Sequence, residues 1–363
     1  MTAAADDERF MALALALGRR GLGRTWPNPA VGAVLVRDGA IVGRGWTQAG
    51  GRPHAETEAL RRAGELARGA TLYVTLEPCS HHGKTPPCTD AVIGAGVARV
   101  VSAMADPNPD VSGAGHRRLA DHGIVVEVGV RAEEARRAHA GHIRRMTDGR
   151  PHVTLKLAVS ADGKAGLAGR RPARITGPAV RNRVHAMRAA NDAVLTGIGT
   201  VHADNPLLTC RLPGMADRSP VRVVLDSDLR LPLDGQLVAT ARDVPVWVVT
   251  GDRAPTDREY ALKARGIDVL HVGGRTELGD VLKSLAQRGI TRLMVEAGPI
   301  VAAAFVKADL VDEAVVFHSP DAIGADGIDA LEGLPLTALT DRLVPAGCEP
   351  MGGDRAEYFR RAD

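Results

Sequence analysis

The sequence predicts an α/β protein built from two domains, and three observations carry that reading. The chain has 363 residues, more than one ordinary core accommodates. Short apolar runs alternate with helical stretches along its whole length, as in layered α/β folds. The two halves share no motif, so the second is not a repeat of the first.

The elements follow in order. Phe10, Leu13, Ala14 and Leu17 recur on one helical face, so residues 6–20 read as an amphipathic helix. Residues 30–36 and 40–46 read as strands of a hairpin around Arg37-Asp38-Gly39. A helix opens at His54 and runs to about Arg68, with Glu56 in its first turn, where negative charge suits the helix dipole. Residues 71–76 form an apolar strand, and another helix begins around Thr89. The alternation continues through residues 97–104, 115–121 and 124–128, then a helical stretch from Arg131 to Arg145. The turn Thr147-Asp148-Gly149-Arg150-Pro151 marks the boundary, giving domains 1–148 and 149–363. Beyond it, residues 153–159 read as a strand and 177–190 as a helix. Apolar runs at 221–225, 246–250, 269–272, 293–295 and 314–317 complete an open sheet.

The chemistry concentrates in His54-Ala55-Glu56 and in Pro78-Cys79 followed, after eight intervening residues, by Cys88. One imidazole and two thiols hold a zinc ion and leave a fourth position free, the catalytic arrangement. Both cysteines fall near helix starts, which favour the thiolate that metal binding requires. Such an ion lowers the pKa of water to roughly 7, and a glutamate two residues from the histidine can move the proton. The pattern H-x-E…P-C…C is that of zinc deaminases acting on heterocyclic bases. A lone histidine or cysteine is usually structural, but the joint spacing is not explained that way. The loop between the cysteines carries His81, His82 and Lys84, one a potential fourth ligand, with substrate contact the favoured use.

Further motifs give a resemblance. Thr25-Trp26-Pro27-Asn28-Pro29-Ala30-Val31-Gly32-Ala33-Val34 precedes HAE, and TLEPCSHHGKTPPC follows it. Downstream stand Lys156-Leu157-Ala158-Val159-Ser160-Ala161-Asp162-Gly163, Ile175-Thr176-Gly177, residues 200–209 (TVHADNPLLT) and Val295-Glu296-Ala297-Gly298-Pro299. In this order they resemble the bacterial family of bifunctional riboflavin-biosynthesis deaminase/reductases. The resemblance implies a cytidine-deaminase-like αβα domain followed by a dihydrofolate-reductase-like α/β domain. It also implies two reactions. A diaminopyrimidinone with a phosphoribosylamino arm loses its 2-amino group, and NADPH then reduces the ribosyl arm to ribityl.

The same resemblance implies site residues. NADPH contacts fall on Ala158, Arg174, Thr200, Asp204, Ser227, Gly298, Pro299, Ile300, Val301, Ala302, Ala303 and Ala304. Substrate contacts fall on Asn28, His81 and Lys84 in the first domain, and on Lys156, Pro172, Arg188, Leu208, Arg211 and Glu296 in the second. Arginines suit a substrate phosphate, since guanidinium forks match its oxygens. Lys156 lies among apolar strand neighbours, where lysine is rare without a partner, and Glu296 is expected to face it across the cleft. The family associates through its reductase half, so a homo-oligomer is expected. Departures stand at Thr47, where the family pattern has histidine, and at Pro172 and Arg174, in the places of a serine and an aromatic.

Composition excludes other classes. The net charge is only +3 and aromatics are scarce (four Phe, three Tyr, three Trp), unlike a nucleic-acid binder. No run of about 18 apolar residues predicts a membrane span. The acidic start, Asp6-Asp7-Glu8, is unlike a signal peptide, and four cysteines, two of them assigned to metal, fit a reducing cytoplasm. Gly113-Ala114-Gly115 lacks the third glycine of a dinucleotide fingerprint and follows a loop. The rival readings are a zinc deaminase of another nucleobase or RNA whose second domain only binds ligand, and a zinc-stabilised binding protein without catalysis.

Overall fold

Apolar residues spaced for both faces of a sheet give the first half its layers. The computed structural model describes residues 3–83, 85–109, 111–171, 173–273 and 276–362. Contacts divide the chain after Arg150 into two compact units. The first contains α1 (Ala3–Gly18), β1 (Gly32–Arg37), β2 (Ala40–Trp46), α2 (Ala55–Ala63), β3 (Thr71–Val74), α3 (Cys88–Gly94), β4 (Arg99–Ser102), α4 (Ala114–Asp121), β5 (Val125–Val128), α5 (Ala132–Ala138) and α6 (Ala140–Thr147). Its sheet runs β2-β1-β3-β4-β5, with β3, β4 and β5 parallel and β1 antiparallel to both neighbours. Phe10, Met11 and Leu15 of α1 pack with Ala135 of α5 against Val34, Tyr73 and Val101. Ala59, Val92 and Leu119, from α2, α3 and α4, cover Leu35, Leu72 and Val100 on the opposite face. This is the predicted αβα arrangement.

Two elements differ from the sequence reading. The helix opening at His54 ends at Ala63, because Gly64 takes φ 56° and turns the chain. The stretch from Arg131 to Arg145 is two helices that meet at His139. That imidazole is buried, with Nε2 3.1 Å from the Thr75 carbonyl and 3.0 Å from its hydroxyl. A tertiary bond thus fixes the residue at which the helical path changes.

The second unit contains β6 (His152–Val159), β7 (Lys164–Gly166), α7 (Pro178–Ala190), β8 (Ala193–Gly197), α8 (Ile198–Asp204), β9 (Val221–Leu225), α9 (Gln236–Ala239), β10 (Val246–Thr250), α10 (Thr256–Lys263), β11 (Asp268–His271), α11 (Leu278–Gln287), β12 (Arg292–Val295), α12 (Pro299–Lys307), β13 (Glu313–His318), β14 (Ile328–Asp329), α13 (Thr337–Thr340), β15 (Val344–Met351) and β16 (Asp354–Arg360). Nine strands form one sheet in the order β11-β10-β9-β8-β12-β6-β13-β16-β15. The seven from β11 to β13 are parallel, and β16 and β15 add antiparallel at the end. Ligands of such sheets bind beyond the carboxyl ends of the parallel strands. The fold class is the α/β class predicted, with β8 and the β15–β16 hairpin as additions the sequence reading lacked.

Candidate functional site

The first site is assembled at the carboxyl end of β3 and the start of α2. His54 precedes α2 in extended conformation and Cys88 is the first residue of α3. Helix α2 lies against β2 because Gly45 has no side chain: a Cβ there would stand 2.2 Å from the Ala55 carbonyl. That close approach delivers His54 and Glu56 to the sheet edge. His54, Cys79 and Cys88 bring one ligand atom each within 4.8 Å of one another. Nδ1 of His54 lies 3.1 Å from Cys88 Sγ and 3.7 Å from Cys79 Sγ, and its Nε2 is 3.2 Å from the Asn28 amide. Asn28 is itself fixed by donating to the Gly51 carbonyl at 2.8 Å.

An imidazole nitrogen and two thiols, converging in this way, fit a tetrahedral zinc with one open position. The ionisation of the group is divided between its two thiols. Bonds from Cys88 and His54 overcome burial and hold the Cys79 thiol at about 4, so it is a thiolate at neutral pH. Its hydrogen bond to Cys79, with burial, keeps the Cys88 thiol well above the usual range. Glu56 is 3 % exposed, and burial raises its carboxyl against the opposing pull of His54. A buried carboxyl with raised proton affinity beside a metal group suits a general acid/base.

The other first-domain candidates fall around this centre unequally. His81 and His82 are exposed and outside the ligand group, and Lys84 lies outside the described residues. Arg52 bonds the Thr85 hydroxyl and so ties down the loop between the cysteines. Thr47 is buried, and its hydroxyl accepts from the Val31 backbone N–H at 3.0 Å, a structural use of the position.

Glu77 was not singled out by sequence, although it stands inside the quoted TLEPC run. Its buried carboxylate accepts backbone N–H bonds from Asp106, Gly113, Gly115 and His116 at 2.8–3.3 Å. Two of these donors open α4, where a carboxylate is favourable. Gly115 presses so close to the turn that a Cβ would be 2.1 Å from the Pro78 carbonyl. The segment after β4 is therefore clasped to the turn that presents Cys79.

In the second unit, Lys156, Arg188, Leu208, Arg211 and Glu296 are gathered from separate elements. Arg188 donates two parallel bonds to Glu296, Nε to Oε2 at 2.9 Å and Nη2 to Oε1 at 2.8 Å, and a third from Nη1 to the Thr209 carbonyl at 3.0 Å. Lys156 Nζ stands 3.8 Å from Glu296 Oε1. Burial alone would raise the Glu296 carboxyl, but Arg188 and Lys156 hold it at about 2. Asp204, at the end of α8, feels both Lys156 and Glu296, and burial raises its carboxyl. The Arg188 guanidinium is thus largely occupied by protein, whereas Arg211 is exposed beside Thr209. His185, another residue not singled out by sequence, places Nδ1 3.0 Å from the Thr209 carbonyl.

The candidate nucleotide residues lie at the carboxyl ends of β6, β8, β9 and β12. Ala158 shares a face of β6 with Lys156. The Gly298 N–H donates to the Thr200 hydroxyl at 3.0 Å, and Pro299 opens α12 with Ile300 55 % exposed. Such a helix start offers backbone N–H groups to a phosphate, and the lack of a side chain at Gly298 keeps the approach clear. Val301 follows in the same first turn, whereas Ala302 and Ala303 are buried and Ala304 half-buried. Ser227 is exposed just after β9, with its hydroxyl 3.3 Å from that of Thr276. Arg174 is exposed ahead of α7, and among the described residues no bond links it to the other candidates. Pro172 lies outside the described residues.

Comparison with known proteins agrees with both halves. Residues 4–104 match the cytidine and deoxycytidylate deaminase zinc-binding region, and residues 151–354 match the RibD C-terminal domain. The riboflavin biosynthesis protein RibD of Escherichia coli is 44% identical over 343 residues, spanning 91% of this chain and 92% of that one. A solved structure of Acinetobacter baumannii RibD superposes with a TM-score of 0.89 at 36% identity, covering 99% of this chain and all (100%) of that one. A diaminohydroxyphosphoribosylaminopyrimidine deaminase/5-amino-6-(5-phosphoribosylamino)uracil reductase from Thermotoga maritima gives a TM-score of 0.87 at 36% identity, with coverages of 99% and 100%. The chain belongs to the RibD family of riboflavin biosynthesis proteins.

Proposed function

We propose that this chain carries out two successive steps of riboflavin synthesis, with residues 1–148 as a zinc-dependent deaminase and 149–363 as an NADPH-dependent reductase. The observation that carries the reading is the convergence of His54, Cys79 and Cys88 beside the buried Glu56. The substrate is the diaminopyrimidinone with a phosphoribosylamino arm, as named for the Thermotoga relative. A nucleobase in RNA is the less favoured substrate, because a net charge of +3 offers little attraction for a polyanion.

Zinc, when bound, supplies the Lewis acidity that lets water release a proton near neutral pH. Glu56 would take that proton at a carboxylate oxygen and pass it to the ring nitrogen as the water oxygen adds to the ring carbon, then take the proton of the added hydroxyl and deliver it to the amine as the C–N bond breaks. Asn28 holds the imidazole of His54 from its outer side. Asn28, His81 and Lys84 are assigned to the pyrimidine substrate.

NADPH, when bound, supplies a hydride to the ribosyl carbon. The start of α12, from Gly298 to Val301, receives its phosphate, supported by Thr200. Ala302 and Ala303 are buried and the Ala302 N–H is spent on the Gly298 carbonyl, so the contacts expected of the alanines up to Ala304 fall away for these two. Ala158, Arg174, Asp204 and Ser227 complete the contacts. Lys156 and Glu296 orient the sugar hydroxyls; the Leu208 side chain, expected to touch the arm, is 3 % exposed in the apolar core and leaves only its backbone for the substrate, and Pro172 is assigned to the same substrate. Arg211, exposed, takes the substrate phosphate, while Arg188 acts chiefly by holding Glu296. The chain is assigned to the cytoplasm, supported by four unpaired cysteines. Self-association through the reductase half is supported by the exposed edge strand β15.

The test supplies the diaminopyrimidinone phosphate with and without NADPH. Ammonia appears in both reactions and cofactor oxidation only in the second; absence of ammonia with zinc bound refutes the assignment. Lys156→Met lowers reductase turnover by about 10²-fold, the size of a misplaced reacting group, while ammonia release is unchanged. Equal loss of both activities counts against the role given to Lys156.

A further inference from the structure

A guanidinium is buried in the second unit where no catalytic step uses it. Arg222 on β9 is 0 % exposed, and alternation places it on the same face as Val224. Its register neighbours, Val194 on β8 and Val246 on β10, belong to the apolar core on that face. Among the described residues no carboxylate pairs with it. Burial lowers its pKa to about 10, with Asp243 only partly countering. A cation held in an apolar core without an ion pair is costly, and its neighbours show what it holds.

Its donors collect acceptors from two separate segments, the loop at Leu207 and the turn from Thr240 to Val244. Nη1 donates to the Leu207 carbonyl at 3.1 Å and to the Thr240 hydroxyl at 2.7 Å. Nη2 donates to the carbonyls of Thr240, at 2.9 Å, and Val244. Gln236 adds to the same frame, its backbone N–H donating to Asn205 Oδ1 and its amide to the Asn205 carbonyl. The loop so fixed is unusual in its backbone. Asn205 has φ 42° and Leu208 φ 55°, and left-handed leucine is disfavoured unless its surroundings enforce it. Immediately after Leu208, the Thr209 carbonyl receives the third bond of Arg188, whose other two hold Glu296.

We propose that Arg222 is a positioning residue of the reductase site: by pinning the Leu207 carbonyl it maintains the left-handed turn at Leu208, and thereby the seat of Arg188 and Glu296. This rests on the assignment of Glu296 and its neighbours to the substrate. The frame reaches the substrate side and makes none of the bonds around Gly298, so its loss separates the two ligands of one reaction.

The test uses the full chain loaded with zinc and compares Arg222→Lys, Thr240→Val, Glu296→Gln and the double variant Arg222→Lys/Glu296→Gln. For Arg222→Lys, KM for the deaminated pyrimidine phosphate rises about tenfold, as expected for a site displaced by a fraction of an ångström. Its KM for NADPH and its ammonia release stay at wild-type values. Thr240→Val, which removes one of the four bonds, gives a smaller shift in the same direction. The double variant is no worse than Glu296→Gln alone, because both act through one path. Overturning results are a fall in maximal rate with unchanged KM, the mark of a smaller folded fraction, or an equal rise in KM for NADPH. If Glu296→Gln leaves the pyrimidine KM unaltered, the substrate assignment itself fails, and the proposal with it. If Glu296→Gln raises that KM and Arg222→Lys does not, only the role of Arg222 is refuted.

Discussion

Replacing Glu56 by glutamine is expected to cut ammonia release by about 10²- to 10⁴-fold, the usual worth of a positioned acid/base, while the zinc content stays at one per chain. The separation follows from geometry. Glu56 contributes none of the three clustered ligand atoms, and its side chain is 3 % exposed residue interior that a glutamine fills with the same shape. What the amide cannot do is accept and return a proton. His54→Ala supplies the contrast: it removes one ligand, so metal and ammonia release are lost together. Metal analysis and ammonia assay on the same purified samples decide the matter. Loss of zinc from the glutamine variant would show that the carboxylate had been given the wrong task.

The second large effect concerns the stability of the reductase half. Among the described residues, Arg188→Met leaves Glu296 with Lys156, 3.8 Å away, as its ion-pair partner. Removing one partner of a buried pair typically costs about 3–5 kcal/mol, and the remaining lysine puts this case at the lower end. Arg188→Met/Glu296→Met restores much of that loss, because two apolar side chains need no partner. The pair also sets an acid limit. The Glu296 carboxyl is held at about 2 against an ordinary 4.5, so its folded-state value is depressed. Its stabilisation is therefore complete above about 4.5 and is lost as the pH falls through about 2. Denaturation midpoints at neutral pH and at pH values across that window measure both effects. Identical midpoints for Arg188→Met and the wild type at neutral pH would remove the pair from any account of stability.

The metal centre was legible because its determinants are local: Cys88 opens α3, His54 caps α2 and Glu56 follows within one turn, whereas Cys79 lies in the loop after β3 and not at a helix start as expected. Six of the seven parallel strands of the second unit were legible for a similar reason, each being a short apolar run. Strand β15 was not, since Pro345, Gly347 and Pro350 read as a loop. An edge strand leaves one row of N–H groups unpaired, which is what tolerates proline there. Strand β8 is buried at every position and shows no alternation to mark it off from the helices around it. Lys156 and Glu296 were expected to face each other across a cleft and instead form a direct ion pair at 3.8 Å, and nothing in the sequence indicated that Arg188 would be consumed by the same carboxylate. Residues 108 positions apart meet only through the register of the sheet. Arg222 and Glu77 were invisible for another reason. Polar groups whose partners are mostly backbone atoms, with the Thr240 hydroxyl the side-chain exception at Arg222, leave no complementary charge in the sequence to betray them.

The clasp made by Glu77 tells an engineer where this protein can be lengthened. A tag or grafted peptide placed between Asp106 and Gly113 would have to pry four amides off one carboxylate, and any distortion would be relayed straight to Cys79. The bend at Asp38-Gly39 is the opposite: nothing lies within 4 Å of an added Cβ at Gly39, so cargo inserted there should ride along unnoticed by the deaminase centre.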